Sequence, residues 1–312
     1  MWLLNFVVMV IASTILCLSP SFATEELVAL IIGGTNTDIE RYPYTVQIYR
    51  NSDFKCGGSL ISHRHVLSAA HCFFKNNGII SPVHFTVRAG TSKLNTGGTE
   101  VAVYQIIVPD RYNPKISDND LAVLVLCSKL ATSASIGIVT IPRQGYEVPD
   151  NSAVTYVGWG STSVQISQPS QILQSVTVFT VSRHVCAERY ARQEVSSGRV
   201  MVVTHNMICA GLLDIGGKDA CQWDSGGPLL FNNTLVGIIS WGYQCAHSNF
   251  PGVATRVSSF YRWIHETMAN YNADELIGVC TSQKSAAGRN PMNCRGRLYL
   301  TYLLIIYSLI FK

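Results

Sequence analysis

The sequence predicts an all-β fold of the antiparallel barrel or sandwich type, closed by one C-terminal helix. Two observations carry this reading. From Ile31 to about Asn272, short apolar runs recur every 8 to 15 residues, with Gly, Pro, Asn, Asp and Ser between them. The last run breaks the rule: between Val257 and Tyr271, Phe260, Trp263, Ile264 and Met268 recur at helical spacing. No period of roughly 20 to 50 residues is present, which excludes a repeat architecture. Length allows one or two domains with a sizeable core, at 312 residues. Charged residues make up only 13% and the net charge is a mild +4 without a dense basic run, so no nucleic-acid partner is expected.

In chain order, residues 1–23 come first. An apolar stretch, WLLNFVVMVIASTILCLS, runs into PSFA, where Ser21 and Ala23 form the small-x-small pattern that signal peptidase cuts. A cleaved signal peptide is expected, with an uncleaved membrane anchor as the alternative. Cleavage leaves nine of the ten cysteines in an oxidising compartment, since Cys17 departs. Residues 24–30, TEELVAL, read as a short propeptide. The strand candidates follow: YTVQIY, HVLSAAH, FTVRAG, VAVYQIIV, LAVLVL, AVTYVGWG, SVTVFTV and LVGIISW. Asn232 opens the one glycosylation sequon, Asn232-Asn233-Thr234, in a polar gap that fits a hairpin tip. Residues 189–205, between Cys186 and Cys209, read as a surface loop carrying Arg189, Arg192 and Arg199.

Beyond Asn272 the character changes. Residues 273–285 form a polar stem. The segment 286–312 carries small residues around Ser285-Ala286-Ala287, ten polar residues, a 14-residue apolar run and Lys312. Spanning a membrane takes ~20 apolar residues. The layout matches the signal that a glycosylphosphatidylinositol (GPI) anchor replaces. A short span or a merely sticky tail is the alternative.

The chemistry concentrates on CQWDSGGPLL, residues 221–230. A serine hydroxyl is a poor nucleophile unless a neighbouring base takes its proton, and histidine is best matched to neutral pH. His71, in LSAAHC, follows small residues and precedes a cysteine. Asp120 heads the apolar run DNDLAVLVL, so its carboxylate would be buried and would need a partner. Imidazolium is a suitable one.

The order His71, Asp120, Ser225, together with IIGG, LSAAHC, DNDLAVL, GWG, CQWDSGGPL, SWG and PGVATRV, resembles the trypsin-like serine proteases from about Ile31 to Asn272. That resemblance implies two antiparallel six-stranded Greek-key β-barrels, about 31–145 and 146–256, within a protease domain spanning 31–272. It implies Ser225 as nucleophile, His71 as general base and acid, and Asp120 as the residue that orients His71. The backbone N–H groups of Trp223 and Ser225 would form the oxyanion hole. Asp219 would lie at the base of the S1 pocket and select Arg or Lys, with Gly242 and Gly252 as wall glycines. Ser240 and Trp241 would pair with the substrate backbone. The implied disulfides are Cys56–Cys72, Cys186–Cys209 and Cys221–Cys245; counting the remainder suggests Cys127–Cys280. Ile31 would be the new N-terminus after activation, pairing with Asp224.

The expected partners are therefore protein or peptide substrates and protein inhibitors, and the expected location is extracellular, with the GPI anchor as a surface variant. No cofactor and no metal are expected, because Glu100, Asp110 and Asp118 form no convincing pair between His71 and Asp120.

Two residues depart from the family pattern. Leu30 stands where Arg or Lys is usual, so activation would need a non-tryptic enzyme; the alternative is that no activation cleavage occurs and the chain stays zymogen-like. Trp223 stands where Gly is usual, because that peptide N–H must point into the oxyanion site with no side chain in the way. Reduced activity is the expectation. A weak or inactive homologue that serves as a binding module is the alternative, against which the complete triad and Asp219 weigh.

Overall fold

The structure is a computed structural model that describes residues 32–75, 78–165, 167–197 and 200–271. The strands in chain order are β1 (Thr35–Asn36), β2 (Thr45–Arg50), β3 (Asp53–Leu60), β4 (His65–Ser68), β5 (Phe74–Lys75), β6 (Gly78–Ile79), β7 (Phe85–Ala89), β8 (Thr99–Ile107), β9 (Ala122–Leu126), β10 (Ala153–Gly158), β11 (Gln174–Val181), β12 (Met207–Gly211), β13 (Pro228–Phe231), β14 (Thr234–Trp241) and β15 (Gly252–Arg256). Helix α1 spans Arg183–Ser197 and α2 spans Tyr261–Asn270.

Two closed antiparallel barrels result. The first runs β2-β3-β4-β9-β8-β7; the second closes β11-β10-β13-β14-β15-β12 through a β11–β12 pairing. Strand β7 shows why the period of two is legible: Phe85, Val87 and Ala89 are buried, with Thr86 and Arg88 between them less so. Strand β9 is buried at all five positions, which is why AVLVL reads as an unbroken apolar run. The β2–β3 turn places Asn51 and Ser52 at φ 51° and 71°, which suits a tight hairpin. Strand β1 lies before the first barrel in sequence yet pairs with β11 of the second. The N-terminal segment thus straps the two units together.

The terminal helix forms as expected, preceded by a 3-10 turn over Val257–Ser259. Phe260, which caps it, and its own Ile264 are buried in the main core cluster, which draws mostly on the first barrel, with Trp263 and Met268 packed against it. The expected surface loop after Cys186 is different: most of it belongs to α1. Cys186 and Tyr190, one helical turn apart, are both fully buried and hold that helix against β12 and Val253.

The barrels meet at glycines. A Cβ on Gly57 of β3 would sit 3.0 Å from the Gly227 Cα, and Gly57 N–H donates to the Ser225 carbonyl at 2.8 Å. That approach brings β3 of one barrel against the turn before β13 of the other, and the candidate site lies along the seam.

Candidate active site

His71 is placed by its neighbours. Ser68, Ala69 and Ala70 are fully buried, so only small side chains let β4 run into the 3-10 turn Ala70–Cys72. The Cys56–Cys72 disulfide fixes that turn to β3. His71 N–H donates to Asp120 Oδ1 at 2.9 Å, and its ring Nδ1 lies 2.7 Å from Asp120 Oδ2. Nδ1–H donating to a carboxylate leaves Nε2 as the acceptor.

Asp120 is completely buried. Its Oδ2 also accepts Ser240 Oγ–H at 2.5 Å, and its backbone carbonyl accepts Thr255 Oγ1–H at 2.7 Å, both from the second barrel. Burial pushes the Asp120 carboxyl up, but His71 beside it and the Ser240 hydroxyl hold it below the ordinary value. Burial opposes charge on His71 as well, yet the Asp120 carboxylate outweighs it and raises the imidazole above its ordinary value. The loop that delivers Asp120 is latched across the seam: Thr204 Oγ1–H donates to Asp118 Oδ1 at 2.6 Å, and Asn206 Nδ2–H reaches Asn119 Oδ1 at 3.1 Å. The sequence carried no signal for Thr204 or Asn206, and Thr255 stood in PGVATRV without an assigned role.

Ser225 sits on the turn 221–227. Gly226, at φ 80°, presses so close to β4 that a Cβ would meet Ser68 Oγ at 2.1 Å. Among the described residues no hydrogen bond joins Ser225 Oγ to His71 Nε2, a contact that often tightens only on substrate binding. The N–H groups of Trp223 and Ser225 donate no hydrogen bond among the described residues, while those of Asp224, Gly226 and Gly227 all do. Two free amide donors, that of Ser225 and that of Trp223 two residues before it, can take a developing oxyanion.

Asp224 is buried behind this turn. Gly160 N–H donates to its Oδ1 at 2.6 Å and Cys221 N–H to its Oδ2 at 3.0 Å. Burial pushes its carboxyl up to about 7, against these two amides. Ile31, expected to pair with it, lies outside the described residues. Its neighbour Ile32 accepts Asp219 N–H at 3.2 Å, so the N-terminal segment does reach this loop.

Next to Ser225 opens a pocket of about 200 Å³ lined by Asp219, Ser240, Trp241, Gly242 and Gly252, among others. Asp219 is 4% exposed; its Oδ2 accepts Ala246 N–H at 3.0 Å, whereas Oδ1 has no partner among the described residues. Burial pushes this carboxyl up to about 7. A Cβ on Gly252 would stand 2.8 Å from that Oδ1, while one on Gly242 would meet nothing closer than 3.9 Å. A buried acceptor without a donor, at the base of a narrow pocket, suits an incoming cation. The expected cross-links Cys56–Cys72, Cys186–Cys209 and Cys221–Cys245 are all formed, the last across the pocket wall. Cys127 is disulfide-bonded too, and the Cys280 expected for it lies outside the described residues. Asn232 and Asn233 form the exposed β13–β14 hairpin tip, both at positive φ.

Trp223 adopts φ 78°, the left-handed backbone that favours glycine. Its ring turns away from the Asp219 pocket onto β3. It stacks on Phe54 at 6.4 Å and 25°, under the Lys55 ammonium at 5.8 Å. There it forms one wall of a second cleft, about 740 Å³, with Phe54, Lys55, Arg88 and Pro169 among its lining.

A trypsin family model matches residues 31–264. Curated relatives include "Trypsin Blo t 3" of Blomia tropicalis, 40% identical over 75% of this chain and 84% of that protein. "Trypsin CFT-1" of Choristoneura fumiferana is 37% identical over 81% of this chain and 97% of its own. "Trypsin, alkaline B" of Manduca sexta is 39% identical over 75% and 89%.

Gly160 is the neighbour that sequence reasoning passed over, since nothing in G-W-G announces a contact with Asp224. A Cβ there would lie 1.9 Å from Asp224 Oδ2. Gly160→Ala is therefore expected to destabilise the fold by about 1–3 kcal/mol, read from a guanidinium unfolding curve. An unchanged midpoint would show that Asp224 can move aside freely.

Proposed function

The chain belongs to the trypsin family of serine endopeptidases, and from that premise we propose that it cleaves peptide bonds after Arg or Lys by a Ser225–His71–Asp120 triad. The single observation that supports this specificity is the unpartnered, buried Asp219 Oδ1 at the base of the pocket beside Ser225. In the reaction, Ser225 Oγ bonds to the scissile carbonyl carbon as its proton passes to His71 Nε2. The carbonyl oxygen becomes an oxyanion held by the Trp223 and Ser225 amides. The C–N bond breaks, His71 returns the proton to the leaving amine, and water repeats the sequence to free Ser225. Asp120 keeps Nδ1 as the donor and stabilises the imidazolium. Protein and peptide substrates, and inhibitors that mimic them, are the partners.

We place the molecule outside the cell; its disulfides fit an oxidising compartment. The protease domain spans 31–272, released by cleavage after Leu30. The tail 286–312 is read as a GPI signal attached near Ser285. Phosphatidylinositol-specific phospholipase C should then free the protein from cells; finding the Tyr302 peptide in the mature protein would rule the anchor out.

The Asp219 assignment has a pH signature that does not depend on His71. Only the ionised carboxylate attracts a cation, and its value near 7 lies above the ordinary one near 4. Benzamidine affinity should hold above pH 7 and fall as pH drops through it, by up to ~100-fold at two units below. Asp219→Ser should flatten that profile and lose ~2–4 decades in turnover of Arg substrates. Equal turnover of Arg and Phe esters by the natural chain would refute the pocket assignment.

Trp223 gives the protein its departure from the family. The free N–H and positive φ keep the oxyanion donor, so the cost of the ring falls on the leaving-group side of the cleft. Trp223→Gly in the form that begins at Ile31 should raise hydrolysis of folded protein substrates more than that of small amides. Equal effects on both would mean that the ring never meets the substrate.

A further inference from the structure

We propose that Phe54, acting through the Trp223 ring, is a positioning residue for the oxyanion turn, and that it keeps the turn assembled in the uncut chain. The proposal rests on the serine-peptidase reading above and adds a regulation to it.

A tryptophan at φ 78° sits in a region that bulky L residues enter at a cost, so its packing must repay that cost. The ring does pack: it stacks on Phe54, with Lys55 over it. Phe54 is buried and meets Trp159 edge-on at 6.4 Å and Tyr49 at 5.9 Å. Trp159 is buried as well, and its Nε1–H donates to the Ser92 carbonyl at 2.9 Å. The residue after Trp159 is Gly160, whose N–H holds Asp224. Asp224 follows Trp223.

The contacts therefore close on themselves. They run from Trp223 to Phe54, to Trp159, to Gly160, to Asp224 and back along one peptide bond. Two consecutive residues of the oxyanion turn are tied, one by its ring and one by its carboxylate, to a single unit centred on Trp159. Rotating the peptide that carries the Trp223 N–H would have to unstack the ring. A glycine at this position has no side chain by which to be held. An equilibrium between assembled and collapsed turns shifts only through contacts that differ between them, and the stack is such a contact.

The ties come from residues 49–55, 159–160 and 221–224, all present before any cut at Leu30–Ile31. Leu30 itself removes the site at which a Lys/Arg-specific enzyme would cut. The two departures of the sequence thus have one consequence: a single-chain form that is already competent.

The test uses the chain from Thr24 with the Leu30–Ile31 bond intact, verified by mass, beside the form that begins at Ile31. Both are assayed on a small Arg ester and labelled with a fluorophosphonate, with Ser225→Ala as blank. The uncut natural chain is expected within about tenfold of the cut form in kcat. Phe54→Ala in the uncut chain should lower kcat toward the ~10²–10³-fold loss of an oxyanion donor, with KM and benzamidine binding changed less than about twofold. The cut form should lose less, and Phe54→Tyr should restore the uncut one. Trp223→Gly, which folds without strain at this φ, is the second variant and should lower uncut kcat likewise. An inert uncut chain beside an active cut form would overturn the proposal. So would uncut kcat that neither variant changes. Absence of labelling and turnover in every form would instead take down the catalytic reading itself.

Discussion

A completely buried carboxylate, Asp120, sets the terms for this molecule. Taking an ion of that kind out of water costs several kcal/mol even after relaxation, unless close partners replace the lost hydration. The partners here come from both barrels. His71 supplies two donors from the first, and Ser240 supplies one from the second. Thr255 of the second barrel holds the Asp120 carbonyl. Neither barrel alone can solvate the group, so the seam has to close in one register. The same closure that satisfies Asp120 fixes the His71 tautomer and brings Ser225 alongside.

Two further buried carboxylates, Asp219 and Asp224, are treated differently. Each is held by backbone amides rather than by a described cation, and burial pushes both up to about 7. An acid whose folded value lies above its unfolded one keeps a proton that the unfolded chain has already released. Stability therefore falls as pH rises from about 4 to about 7, and a cation delivered to either group recovers it. The second barrel is in this sense built with open electrostatic demands. One faces the pocket that would receive a substrate side chain. The other belongs to the turn that carries Ser225. Both demands make the site responsive to what arrives, whereas Asp120 is satisfied from within.

Much of this was legible in the sequence because the signals are local. Period-two burial showed in FTVRAG, helical spacing showed in Phe260, Trp263, Ile264 and Met268, and His71 and Ser225 each stand directly beside a cysteine or a glycine that constrains them. What stayed hidden is non-local. Thr204, Asn206 and Thr255 are ordinary polar residues whose partners are about 86 to 135 positions away. Helix α1 was misread as a loop because its polar, Arg-rich face dominates the composition. Among the described residues Cys186 and Tyr190 turn fully inward, with Ala187 partly so, and their burial depends on β12 and β15 being in place. Phe54 carried no signal either, since one aromatic in a strand is ordinary core.

Trp223 shows where sequence reasoning and structure divide most usefully. From sequence, a bulky residue at a glycine position reads as damage: strain at the backbone and a crowded approach to the nucleophile. The structure separates these two effects. Strain follows from φ alone and is present. Crowding depends on where the ring goes, and it goes onto Phe54 and Lys55, away from the Asp219 pocket. A side chain that both opposes a backbone conformation and is fastened in it changes the turn from a freely adjusting element to an anchored one. Glycine gives this turn conformational freedom at an entropic cost whenever it orders. Tryptophan removes part of that freedom. The residue at this position is therefore held by its ring against Phe54 and Lys55, where a glycine would have no side chain to hold.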